Sequence, residues 1–169
     1  FTFSCVFSLP ETDTAAIAPQ EEVNPLDTKT ENVDKNAVLK GMKVLLVEDN
    51  EINTMIAMEL LDNVGIEVTA AENGSEALER LADARQNGTS FDLILMDLQM
   101  PIMDGYEATI TIKAMPEYTS LPIYALTAHS FPEERQRCLD LGMIDLLAKP
   151  IDLDKFYSAL REVATSPKA

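Results

Sequence analysis

From about Gly41 to Thr165 the apolar residues come in short blocks, and polar or amphipathic stretches separate them. The blocks at 42–47, 91–96, 121–126 and 143–148 are too brief for helices. Each is also nearly continuous in apolar character, which is the mark of a strand buried on both faces. A fifth strand is expected at 66–71, and helices at 51–64, 74–87, 104–115, 131–141 and 152–164. Five strands alternating with five helices predict an α/β fold, a parallel sheet with helices on both faces. Leu153, Phe156, Tyr157, Leu160 and Ala164 form one stripe of the last helix, and Ser130-Phe131-Pro132-Glu133 looks like a capping box for the fourth.

The first forty residues follow other patterns. In residues 1–10, Phe1, Phe3, Cys5, Phe7 and Leu9 would share one face of a strand. Residues 11–40 carry seven acids against three bases, two prolines and no clear period, so they read as an acidic linker. The expected organisation is therefore a strand at 1–10, a linker at 11–40, one domain at 41–165 and a tail at 166–169. A chain of 169 residues, 46% hydrophobic and 25% charged, can bury such a core without a disulfide or structural metal. A net charge of −16 argues against a nucleic-acid surface, which needs basic patches. Cys5 and Cys138 lie far apart without ligand spacing and are expected to be plain apolar residues of a reducing compartment. No apolar stretch reaches the ~20 residues of a membrane span, and no basic leader precedes the first strand, so a cytoplasmic location is expected.

Chemistry gathers where the blocks end. The first strand runs into Glu48-Asp49, the third into Asp97, the fourth into Thr127 and the fifth into Lys149-Pro150. Right-handed crossovers favour a flavodoxin-like, doubly wound (βα)5 sheet of order 2-1-3-4-5, which opens a crevice beyond the carboxyl ends of strands 1 and 3. Glu48, Asp49 and Asp97 should meet there, with Thr127 and Lys149 closing it. Three carboxylates so close must take up protons or hold a hard cation, and Mg2+ suits a small oxygen site. A cation, a lysine charge and a hydroxyl around one carboxylate are what phosphoryl transfer to that carboxylate requires. Asp97 would be the nucleophile and would form an acyl phosphate.

The segments Val44-Leu45-Leu46-Val47-Glu48-Asp49-Asn50, Met96 through Gly105, Ala125-Leu126-Thr127-Ala128 and Ala148-Lys149-Pro150-Ile151 resemble the receiver domain of two-component and phosphorelay signalling. The resemblance covers about residues 41–165. It implies that Asp97 accepts phosphate from a phosphohistidine and that the domain catalyses its own Mg2+-dependent phosphorylation and dephosphorylation. It implies that Glu48 and Asp49 hold Mg2+ together with Asp97 and the backbone carbonyl of Gln99. Thr127 and Lys149 would bind the phosphoryl group, the Lys149-Pro150 bond would be cis, and Gln99 and His129 would influence acyl-phosphate lifetime. The implied partner is a histidine-containing phosphotransfer domain, docking on the first helix (Ile52, Met55, Ile56, Met58), with Met55 as the candidate contact.

One position departs from the family. Receivers that signal by moving an aromatic ring carry it three residues before the lysine, where this chain has Leu146. A modest conformational response and a phosphate-passing role are therefore expected. Residues 1–10 resemble the closing strand of a histidine kinase ATP-binding domain, or are a remnant without function, and their position fits a hybrid histidine kinase. No Gly-rich nucleotide loop is present, so ATP binding is not expected. Three alternatives compete: a flavodoxin-like domain with merely solvated acids, an unphosphorylated interaction module, and a haloacid dehalogenase-type phosphatase. The last wants a second aspartate two residues after the nucleophile, where this chain has Gln99.

Overall fold

The structure is a computed structural model that describes residues 35–166. The strand expected at 1–10, Cys5 within it, and the linker up to residue 34 lie outside the described residues. The end of the expected linker belongs instead to the domain, because Ala37–Leu39 form a 3-10 turn that buries Leu39 in the core and Asn36 accepts from the Arg161 guanidinium at 2.7 Å.

Five strands form one sheet: β1 (Lys43–Val47), β2 (Glu67–Ala71), β3 (Leu93–Asp97), β4 (Ile123–Thr127) and β5 (Asp145–Ala148). Their order is β2-β1-β3-β4-β5 and every pairing is parallel. The expected (βα)5 topology is thus the observed one. Five helices connect and follow the strands: α1 (Glu51–Asp62), α2 (Gly74–Gln86), α3 (Gly105–Lys113), α4 (Pro132–Asp140) and α5 (Leu153–Thr165). Side chains of a strand alternate between faces. Val44 and Leu46 accordingly enter a core with Leu61, Leu95, Phe156 and Leu160, while Leu45 and Val47 enter the opposite core with Leu81, Ile94, Met96, Ile112 and Cys138. Cys138 behaves as the small apolar residue the sequence predicted. Burying one Val, Leu, Ile, Met or Phe side chain in these cores stabilises by roughly 1.5–3 kcal/mol.

Asn50, Asn73, Asp104 and Asp152 cap four helices by accepting backbone N–H bonds from the first turn. The cap expected on the fourth helix is absent. α4 starts at Pro132 behind Phe131, which makes no side-chain cap, so the capping box expected at 130–133 does not form. Proline at the first helical position has no N–H to satisfy and supplies the start by itself. The stripe on α5 is also shifted. Phe156, Ala159 and Leu160 are buried and Tyr157 and Val163 pack beside them, whereas Leu153 is half exposed and Ala164 faces solvent.

Candidate functional site

Parallel strands deliver their carboxyl ends to one edge. Glu48 follows β1, Asp97 is the last residue of β3, and carboxylate oxygens of Glu48, Asp49 and Asp97 lie within 4.8 Å of one another. Glu48 and Asp97 are buried and Asp49 is exposed. Lys149, just beyond β5, reaches past β4 into this cluster. Its Nζ lies 2.6 Å from Asp97 Oδ2 and 2.5 Å from Glu48 Oε2. Burial pulls the Lys149 pKa down, but hydrogen bonds and charge from Asp97 and Glu48 outweigh it and leave the ammonium more basic than usual. One ammonium against three carboxylates leaves net negative charge, and an all-oxygen set suits a hard cation.

The remaining oxygens are held as well. Asp97 Oδ1 accepts from the Gln99 N–H at 3.1 Å, and Glu48 Oε1 accepts from Asn53 Nδ2 at 2.8 Å. The loop after Asp97 then folds back on the strand end. Gly105 N–H donates to the Leu98 carbonyl at 3.2 Å, and a Cβ at Gly105 would collide with the Asp97 carbonyl. The Lys149-Pro150 bond is cis, as the resemblance implied, and Lys149 N–H donates to the Thr127 carbonyl at 2.7 Å.

Thr127 stands at the same edge, buried at the end of β4, yet its hydroxyl is turned to α4. Oγ1 donates to Glu134 Oε2 at 3.0 Å and accepts from the His129 N–H at 3.0 Å. The His129 ring is in the exposed loop, stacked on Phe131 with centroids 6.0 Å apart. Gln99 is exposed, and Leu146 is half-buried against the core beneath α4. Ile52, Met55, Ile56 and Met58 are all exposed, Met55 at 65%, because Ala57 and Leu61 supply the buried side of α1. Ile102, in the loop after Asp97, is 83% exposed with φ +70°. Three participants were missed in the sequence. Asn53 fixes Glu48, Glu134 engages Thr127, and Tyr106 on α3 donates to Glu134. Polar residues in a first helical turn are too common for the sequence alone to mark them.

A 2-1-3-4-5 parallel sheet that ends in an acid cluster, a hydroxyl and a lysine defines the receiver class of α/β protein. The family described as the response regulator receiver domain matches residues 44–161, and the chain belongs to it. Sensor protein GacS of Pseudomonas syringae pv. syringae is 44% identical over 115 residues, covering 66% of this chain and 12% of GacS. Hybrid signal transduction histidine kinase B of Dictyostelium discoideum is 40% identical over 138 residues, covering 73% of this chain and 7% of that kinase. The chain therefore spans a small fraction of the length of these curated relatives. Among solved structures, the receiver domain of sensor histidine kinase PA1611 from Pseudomonas aeruginosa PAO1, with a magnesium ion coordinated in its active-site cleft, is 36% identical with a TM-score of 0.64. That match covers 75% of this chain and 99% of the other. The acidic cluster of Glu48, Asp49 and Asp97 is positioned like the magnesium-binding sites of receiver domains. No helix among the described residues is long and apolar enough to cross a membrane.

Proposed function

We propose that this chain is the receiver unit of a hybrid histidine kinase. Asp97 takes a phosphoryl group from a phosphohistidine, in a Mg2+-dependent step, and passes it to a histidine-containing phosphotransfer domain. The observation that carries this reading is the Lys149 ammonium shared between Asp97 and Glu48, with Asp49 completing the cluster. An oxygen of Asp97 attacks phosphorus in line, the P–N bond to the imidazole breaks, and the ring nitrogen keeps the electron pair. Bound at Glu48, Asp49, Asp97 and the Gln99 carbonyl, Mg2+ would neutralise phosphoryl oxygens during transfer. Lys149 holds one Asp97 oxygen and is placed to follow charge onto the phosphoryl group, and Thr127 supplies a further hydrogen bond once its hydroxyl turns. Gln99 and His129 flank this edge, where water attacking the acyl phosphate would approach. Leu146 offers no ring to move, which favours relay of phosphate over a large output change.

The names of the relatives support the kinase context, in which the residues before the domain would join the receiver to its parent kinase domains in a cytoplasmic setting. The docking surface for the phosphotransfer partner is the exposed apolar face of α1 with Met55. Intact mass after incubation with acetyl phosphate and Mg2+ tests the reaction. One added phosphoryl group, lost in EDTA and in Asp97→Asn, is expected; no addition under any condition would favour the unphosphorylated interaction module. Met55→Glu should slow transfer from the partner and leave acetyl phosphate labelling intact.

A further inference from the structure

Thr127 has one hydroxyl proton, so it can donate one hydrogen bond at a time. That proton is committed to Glu134 Oε2 at 3.0 Å. The other carboxylate oxygen, Oε1, accepts from Tyr106 OH at 3.2 Å. Tyr106 is itself fixed: it packs on the core shared with α3 and α4, and the Arg137 guanidinium lies 3.8 Å above its ring. Burial, and then the nearby Glu134 charge, push the Tyr106 pKa up to about 12, so the phenol stays protonated and a donor at neutral pH. A first-turn glutamate of α4 is thus anchored at one oxygen and holds Thr127 with the other. The resulting chain runs from β4 through α4 to α3, and it reaches an aromatic ring where Leu146 provides none.

We propose that Glu134 is a positioning residue that competes with a phosphoryl group on Asp97 for the single hydroxyl proton of Thr127, with Tyr106 keeping the carboxylate in place for that competition. This rests on the phosphoacceptor reading above. A charged acceptor holds a hydroxyl more tightly than a neutral one. The resting hydroxyl therefore has a strong partner that it must leave. When it turns to the phosphoryl oxygens, Glu134 retains only Tyr106, and the change at the site is felt by α3 and α4. A ligand that draws Thr127 away binds more weakly by the free energy of the bond it breaks.

The test is titration of the whole chain with beryllium fluoride in Mg2+, a phosphoryl mimic, followed by fluorine and amide NMR. Glu134→Ala is expected to tighten binding about 10-fold or more, the amount one net hydrogen bond to a charged group contributes. Tyr106→Phe should shift it less in the same direction. Glu134→Gln, whose carbonyl can still accept from Thr127, should fall between Ala and the parent, and it carries the test if Glu134→Ala does not fold. The gain must vanish when Thr127 is also alanine, since a merely structural effect on α4 would persist there. Unchanged or weaker binding by Glu134→Ala and Glu134→Gln, or an equal gain in the Thr127→Ala background, would overturn the proposal while leaving the phosphoacceptor intact. Failure of the parent chain to bind beryllium fluoride at all would instead overturn the phosphoacceptor reading, and this inference with it.

Discussion

Lys149 and Lys113 are both half-buried, one at each end of the sheet, and their surroundings push them in opposite directions. Lys113, at the end of α3, donates to the Thr119 and Leu121 carbonyls at 3.0 and 2.7 Å, and burial lowers its pKa. Lys149 meets two carboxylates, which override the same burial penalty. The residue type and degree of burial are shared; the partners differ. Neutral carbonyls use a lysine to close a loop, whereas carboxylates make it part of a charge cluster whose strength depends on exclusion of water. The rest of the molecule follows this division. Glu48, Asp97 and Thr127, three of the four buried polar residues among those described, lie at the carboxyl edge. The fourth, Thr109, bonds the Gly105 carbonyl of its own helix at 2.7 Å. An open groove of about 660 Å³ lies at the amino edge beside Lys113, lined by charges of both signs and by apolar residues such as Val38 and Ile144.

Glycine substitutions should break this contrast most strongly. Gly105→Ala drives a methyl into the Asp97 carbonyl, and urea unfolding should show a loss of about 3 kcal/mol. A loss under ~1 kcal/mol would mean that the loop can yield without disturbing the strand end. At the amino edge Gly88 has φ +68° and open space around it, so Gly88→Ala should lose only about 1 kcal/mol, from backbone strain alone.

The lysines come next. Lys149→Met leaves Glu48 and Asp97 facing each other without a cation and should cost about 2–3 kcal/mol in EDTA, with part of it restored by added Mg2+. Lys113→Met keeps the aliphatic stem and should change stability by no more than ~1 kcal/mol, with no response to Mg2+. Equal effects of the two would erase the distinction drawn between the edges.

The smallest expected effect is in pH dependence. A raised lysine pKa gives stability that is complete below the unfolded value of ~10.4 and is lost as pH rises through the folded value. In EDTA the stability gap between the parent chain and Lys149→Met should therefore shrink in strong alkali. A lowered lysine pKa works the other way, because the folded state sheds its proton first and stability rises with pH between the folded and unfolded values. Relative to Lys113→Met, the parent chain should gain stability over that window. Slopes of the same sign at both positions would contradict the opposed surroundings.

Fold and site differed in how far they could be read from the chain. Continuous apolar runs such as Val44–Val47 and Leu93–Met96 reported central strands because burial on both faces leaves no polar position in them. Asp97, Glu48, Asp49, Thr127 and Lys149 were legible because each ends such a run, and a parallel sheet brings run ends to one edge. The false capping box at 130–133 shows the limit. Proline supplied the helix start, and sequence spacing could not tell an available cap from one that is used. The shifted stripe of α5 has a related cause, since which of several apolar residues faces inward depends on the helix's rotation against the sheet.

By itself the sequence determined the period of burial, and through it the strands, their order and the set of groups that meet at the carboxyl edge. Only the tertiary structure decided how those groups pair: Lys149 between Asp97 and Glu48, Asn53 on Glu48, and the Thr127 hydroxyl given to Glu134 and, through it, to Tyr106. Burial is a property of each residue's own apolar character and is written along the chain. A hydrogen bond between side chains depends on distances of a few tenths of an ångström across elements far apart in sequence, and these exist only once the helices have packed.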